Sequence, residues 1–136
     1  MPPRLRVDHL VVVAMDVERT LDFYERVLGA RVQNLEAWRD GHAKYPVLHF
    51  QDWKINVHSR ETTAAPRARA PEPGSVDLCL VWPGPIAEAA SHLAACGVPL
   101  EVGPVGREGA AGPGQSVYFR DPDRNLLELI SYDASR

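Results

Sequence analysis

The chain has little cysteine, few aromatics, no long apolar run and no excess of one charge. Its two cysteines, Cys79 and Cys96, make no spaced pair, which argues against a disulfide framework. Both read as reduced core thiols of a cytoplasmic protein. No stretch approaches the roughly 18 consecutive apolar residues of a membrane span. The opening Met1-Pro2-Pro3-Arg4-Leu5-Arg6 runs into a strand pattern without a signal-peptide layout, so no membrane partner is expected. Acidic and basic residues are intermixed at a net charge of −3, which leaves no electrostatic footprint for nucleic acid. What remains is a globular composition, 45% hydrophobic and 24% charged over 136 residues. That length is most simply a single domain, residues 1–136, large enough for a real core.

Periodicity divides the chain into two similar halves. A β-type run at about 6–14 is followed by a helix from Val17 to Leu28, with Val17, Leu21, Tyr24 and Leu28 on one stripe. Asp16 is placed to cap its start and Gly29 to stop it. Three β-type segments follow, Arg31–Asp40, Tyr45–Gln51 and Trp53–Ser59, with Gln51-Asp52 as the tight turn. The second half repeats the order: a strand at Ser75–Trp82, a helix from Pro85 to Cys96 with Gly97 after it, and strands at Leu100–Val102, Ser116–Arg120 and Asn125–Ser131. Asp121-Pro122-Asp123-Arg124 is the expected hairpin turn. Module one is thus about 5–59, a linker rich in Pro, Ala and Arg covers 60–74, and module two is about 75–133. Gly103 to Gly114 reads as a mobile loop or a lid over a ligand site. Its glycines lack the Gly-Lys-Ser/Thr of a phosphate loop.

Side chains alternate across a strand, and the alternation is informative here. Leu10 and Val12 oppose His9, Val11 and Val13. Ile55 and Val57 oppose Lys54, Asn56 and His58. Val76, Leu78 and Leu80 oppose Asp77, Cys79 and Val81. Leu127 and Leu129 oppose Leu126, Glu128 and Ile130. Each strand offers one apolar face for helices and one face with an ionisable group among apolar neighbours. That predicts sheets covered by helices on one side and curved around a ligand on the other. His9 and Glu128 lie in the first and last strands, and burying such groups unpartnered costs roughly 2–7 kcal/mol even for a neutral polar group. A shared metal ion would resolve both.

At these residues the chain resembles the vicinal oxygen chelate superfamily, the glyoxalase I, extradiol dioxygenase and bleomycin-resistance group. The matching stretches are Val7-Asp8-His9-Leu10-Val11-Val12, Thr20 to Gly29 (TLDFYERVLG) and Tyr118 to Leu129 (YFRDPDRNLLEL). Glyoxalase-domain-containing protein 5-like members are the most similar, through Pro73–Leu80, Gly103–Val105 and Tyr118–Leu126. The resemblance implies an α+β fold of two βαβββ modules, a curved mixed-sheet cup with helices on the outer face. It implies a divalent metal ion, Fe, Ni, Zn or Mn, on His9, His58, Glu128 and Asp77. Asp77 stands where a histidine is usual, as a fourth ligand or as a partner orienting a histidine.

The implied chemistry is chelation of two neighbouring substrate oxygens by that ion. A glyoxalase I-like lyase or isomerase would use Glu128 as base through an enediolate. Val13 and Thr62 stand where that enzyme's glutathione-holding arginine and asparagine would be. An extradiol, catechol-type dioxygenase would use Tyr118, but Gly109, Ala110 and Ala111 occupy the place of its expected histidine. The third reading is a non-catalytic small-molecule or antibiotic-binding resistance module. A small-molecule substrate and a homodimer are the expected partners. Trp38, Trp53 and Trp82 read as core or dimer-interface packing.

Overall fold

The computed structural model describes residues 1–133. The chain forms two compact units, Met1–Pro73 and a second beginning at Gly74. The division falls at the end of the predicted linker.

The first unit contains β1 (His9–Ala14), α1 (Val17–Leu28), β2 (Arg31–Gln33), α2 (Leu35–Arg39), β3 (Val47–His49) and β4 (Lys54–Ser59). Its sheet runs β1-β4-β3-β2, with β1 parallel to β4 and the other pairs antiparallel. Helix α1 begins where the Asp16 carboxylate accepts from the Arg19 backbone N–H at 3.1 Å and ends at Gly29, whose φ is 71°. The buried stripe is Val17, Thr20, Leu21, Phe23, Tyr24 and Val27. Val27, rather than Leu28, closes it, because Leu28 is only half-buried. This stripe covers the face of the sheet that carries Val12, Leu48, Ile55 and Val57, all fully buried.

The predicted strand Arg31–Asp40 is a three-residue strand followed by a short helix. Asn34 between them adopts a left-handed φ of 64°, which ends the extended run. Arg39 then anchors α2 by ion pairs to Glu18 of α1 and to Glu36.

The second unit contains β5 (Asp77–Val81), α3 (Ile86–Ala95), β6 (Val102–Gly109), β7 (Gly112–Arg120) and β8 (Leu126–Ser131). Its sheet runs β5-β8-β7-β6, again with one parallel pair, β5 with β8. Ile86, Ala89 and Leu93 of α3 are buried, as are Val117, Phe119, Leu127 and Leu129 on one face of the sheet. Both units therefore bury their odd-numbered apolar residues on β4, β7 and β8 toward one face.

Gly103–Gly114 is neither a loop nor a lid. It forms most of a long β-hairpin, β6 with β7, turned at Ala110-Ala111. The glycines answer to packing. A Cβ on Gly109 would collide with Tyr132 and Ile130, and one on Gly114 would collide with the Ser131 carbonyl and Ile130. Gly103, at φ 108°, lets its strand approach the Ser116 carbonyl.

The turn between β7 and β8 is a closed hydrogen-bond network. Asp121 Oδ1 accepts from the backbone N–H groups of Asp123 and Asn125, each at 2.9 Å. Asn125 Nδ2 donates to Asp121 Oδ2 at 2.7 Å, and Asn125 Oδ1 accepts from the Val76 N–H at 2.9 Å. The Asp-Pro-Asp-Arg-Asn stretch is thus a structural fastener that ties β8 to the entry of β5.

Candidate functional site

On each sheet, the face away from the helix carries the polar residues, and strand register lays them out in rows. In the second unit one row crosses all four strands: Val102 on β6, Tyr118 on β7, Glu128 on β8 and Cys79 on β5. Tyr118 and Glu128 are directly opposite, so their Cβ atoms lie about 5 Å apart. Arg107, on the same face of β6, donates from Nε to Tyr118 Oη at 2.9 Å, and its guanidinium lies 5.3 Å from the Tyr118 ring centroid. Burial and the neighbouring Glu128 push the Cys79 thiol up to about 12. Cys79 is itself solvent-exposed, and the Glu128 carboxylate beside it disfavours the thiolate.

One row along lies Ser116, opposite Ile130 and fully buried, with no hydrogen-bond partner for Oγ. On the other side lie Asp77, Leu126 and Arg120. Arg120 is committed to the protein itself. Its Nε and Nη2 donate to Glu101 at 2.9 Å each and its Nη1 to the Arg124 carbonyl at 3.1 Å. The pair lowers the Glu101 carboxyl below its usual range.

In the first unit a row of basic and titratable groups crosses the sheet: Arg31 on β2, His49 on β3, Lys54 on β4 and His9 on β1. The next row is Gln33, Val47, Asn56 and Val11, and the third holds His58 opposite Val13. Asn56 is 4% and His58 6% exposed, yet Asn56 Oδ1 and His58 Nδ1 have no hydrogen-bond partner. The Tyr45 ring packs at a tilt against His58, with centroids 4.8 Å apart and planes 38° from parallel. Burial, aided by Arg67, lowers the His58 pKa and favours the neutral ring. His9 is 46% exposed and pairs through Nδ1 with Asp8 at 2.7 Å.

The register separates two of the expected metal ligands. His9 is opposite Lys54, and His58 is opposite Val13, four residues further along the same strand pair. That offset is about 13 Å at 3.3 Å per residue. Among the described residues no three His, Cys, Asp or Glu side chains gather into a metal-holding group. Asp77 and Glu128 share a face on adjacent strands, offset by two residues in register.

The residue two along from His9's register position is Asn56, an amide, and the side chain directly opposite is the cation Lys54. Sequence parity placed Asn56 on this face without a role. Arg107 and Ser116 were missed: Arg107 fell in a segment read as loop, and a serine in a strand carries no signal of its own. His42 and His92 are elsewhere, and His92 packs against Trp82 with centroids 5.6 Å apart. Trp53 stacks on Phe50 at 4.7 Å in the β3–β4 turn. Trp38 is half-buried in α2. Among the described residues no helix is long and apolar enough to cross a membrane.

Two successive βαβββ-type units, each with a polar sheet face opposite its helix, define the fold class. Residues 6–129 match the Glyoxalase/Bleomycin resistance protein/Dioxygenase superfamily, and the chain belongs to it. It is 43% identical over 130 residues to the glyoxalase domain-containing protein RDO1 of Mycosarcoma maydis, covering 96% of this chain and 70% of that protein. It is 40% identical over 127 residues to virulence protein STM3117 of Salmonella typhimurium, covering 93% and 84%. The crystal structure of STM3117 superposes with a TM-score of 0.87, covering 96% of this chain and 99% of that one. An integron cassette protein from V. cholerae is similar at a TM-score of 0.88 and 36% identity, covering 98% and 99%.

Proposed function

We propose that this protein is a lyase or isomerase acting on a small molecule with adjacent oxygens, with Glu128 as the base and Tyr118 as the oxygen-holding partner. The observation that carries this reading is the Glu128–Tyr118 pair, directly opposite on one sheet face with Arg107 donating to Tyr118 Oη. Because Arg107 occupies an acceptor site on Oη, the Tyr118 proton points to another acceptor.

In a hydroxy-carbonyl substrate the Glu128 carboxylate takes the proton from the hydroxyl-bearing carbon. The C–H electron pair moves into the C–C bond, and negative charge develops on the carbonyl oxygen. Tyr118 Oη–H donates to that oxygen, and the Arg107 guanidinium behind it offsets the charge. The hydroxyl proton of the first carbon then passes to the enediolate oxygen beside Tyr118, and Glu128 returns its proton to the neighbouring carbon, so that hydroxyl and carbonyl exchange places.

Proteins of this superfamily bind small molecules and often form dimers. We take a small-molecule substrate and a homodimer as part of the reading, and exposed Val11, Val81 and Val102 supply apolar surface for a second copy. The test is turnover of a panel of 2-oxoaldehydes and 2-hydroxy ketones. Conversion by wild type and its loss in Glu128→Gln is the expected result. A second reading, binding without turnover, is favoured by the buried, partnerless Ser116 Oγ on the same face. Saturable binding with no conversion of any panel member would favour it instead.

A further inference from the structure

Helix α3 carries ligand chemistry that the proposed reaction does not use. His92 lies in its last turn and Cys96 at its C-cap, four residues apart. Residues at that spacing are neighbours on one helix face. The helix itself holds the pair. The Cys96 N–H donates to the His92 and Leu93 carbonyls at 3.0 and 3.1 Å, and Gly97, at φ 74°, ends the helix just beyond. Cys96 Sγ lies 3.7 Å from His92 Nε2. A tetrahedral zinc ion, about 2.3 Å from a sulfur and about 2.0–2.1 Å from a nitrogen, holds two such atoms about 3.5 Å apart. The two donor atoms therefore already stand near the separation that one ion needs. Both residues are half-buried, so solvent reaches the pair.

The surroundings favour positive charge. His92 packs against the Trp82 ring, with planes 35° from parallel, which restrains the turning of the imidazole. Glu88, one turn earlier on α3, carries its carboxylate to the same indole: a Cβ on Gly84 would lie 2.6 Å from Glu88 Oε1 and 3.3 Å from Trp82 Nε1. The C-terminal end of a helix attracts cations through its unpaired carbonyls.

We propose that His92 and Cys96 form a surface site for one Zn2+ ion. The thiol gives its proton to solvent, and the thiolate and the neutral Nε2 each donate a lone pair to the ion. Thiolate and imidazole together select a borderline-soft ion such as Zn2+ over Mg2+ and Ca2+, which take oxygen ligands. Among the described residues no third His, Cys, Asp or Glu side chain completes the group, so solvent takes the other positions and the ion exchanges. The site belongs to α3, not to the sheet face of Glu128 and Tyr118, and stands whether or not they turn over a substrate.

The test is a Co2+ titration of the full-length, reduced Cys79→Ser protein, in which Cys96 is the one remaining cysteine. Thiolate ligation gives cobalt a charge-transfer absorption that oxygen and nitrogen ligands do not. That band is expected to appear and to saturate below about 1 mM metal. Zn2+, which has no geometric preference against a tetrahedral site, should abolish it, and Mg2+ should not. His92→Gln in the same background, checked for native circular dichroism, should weaken Co2+ binding at least about tenfold. In the wild-type protein, Zn2+ should slow iodoacetamide labelling of Cys96 at least about tenfold, read on its own peptide by mass spectrometry. No band, a band of unchanged affinity in His92→Gln, displacement by Mg2+ as readily as by Zn2+, or Cys96 labelling indifferent to Zn2+ would overturn the proposal.

Discussion

Three side chains on the two polar sheet faces carry an unmet demand: Asn56, His58 and Ser116 are buried with a polar atom unpartnered. The lowered pKa of His58, caused by burial and then by Arg67, has a definite sign. Below the ordinary value of 6.5 the unfolded chain binds a proton that the folded chain resists. Stability is therefore predicted to fall as pH drops from about 6.5 toward the lower folded value, and His58→Gln should flatten that part of the curve. Denaturant midpoints from pH 7.5 to 5 would check both.

Cys79 gives a second prediction at this scale. Its thiol, held up to about 12 by burial and Glu128, should react with iodoacetamide at pH 7.5 far more slowly than an ordinary free thiol. Glu128→Gln should speed the reaction, while an unchanged rate would mean that the carboxylate does not touch the sulfur.

Among the elements, the β7–β8 turn and the β6–β7 hairpin are decisive. The Asp121–Asn125 network is buried, and truncating one partner strands the others. Asp121→Ala is predicted to cost about 1–3 kcal/mol in chemical denaturation. At the surface, Asp16→Ala should cost about 0.5–2 kcal/mol through loss of the α1 cap. The sequence made α1 readable almost to the residue, because capping residues and a strong 3.6-residue stripe agree there. The pairing of β3 with β4 was equally legible through its Gln51-Asp52 turn. The segment 103–114 was not, because a glycine-rich strand looks like a loop when only propensity is considered. Its glycines are set by the Tyr132, Ile130 and Ser131 atoms they approach, and such long-range crowding leaves no local mark. The α2 helix was hidden in the same way by a left-handed Asn34 that ended an apparently continuous β run.

At the scale of the whole molecule, the repeat of two βαβββ units was legible from the recurring order of strands, helix and post-helix glycine, and the superfamily match over residues 6–129 agrees with it. The polar faces were legible from parity, which correctly grouped Lys54, Asn56 and His58, and also Asp77, Cys79 and Glu128. What parity does not supply is register. It says which residues share a face but not how far apart they lie along it, and the β1–β4 pairing sets His9 and His58 four residues apart, about 13 Å along the strands. Tyr118 opposite Glu128 emerged only from the β7–β8 register, and Arg107 only once β6 was a strand.

The central claim is that Glu128 and Tyr118 move a proton on a carbon next to an oxygen-bearing carbon. Its most direct measurement is deuterium uptake from D2O into 2-hydroxy ketones and 2-hydroxy aldehydes, followed by proton NMR with wild type, Glu128→Gln and Tyr118→Phe. The account predicts exchange at the hydroxyl-bearing carbon with wild type, a loss of at least about 100-fold in Glu128→Gln and a smaller loss in Tyr118→Phe. Exchange that persists in Glu128→Gln, or no exchange with wild type on any member of the panel, would contradict it.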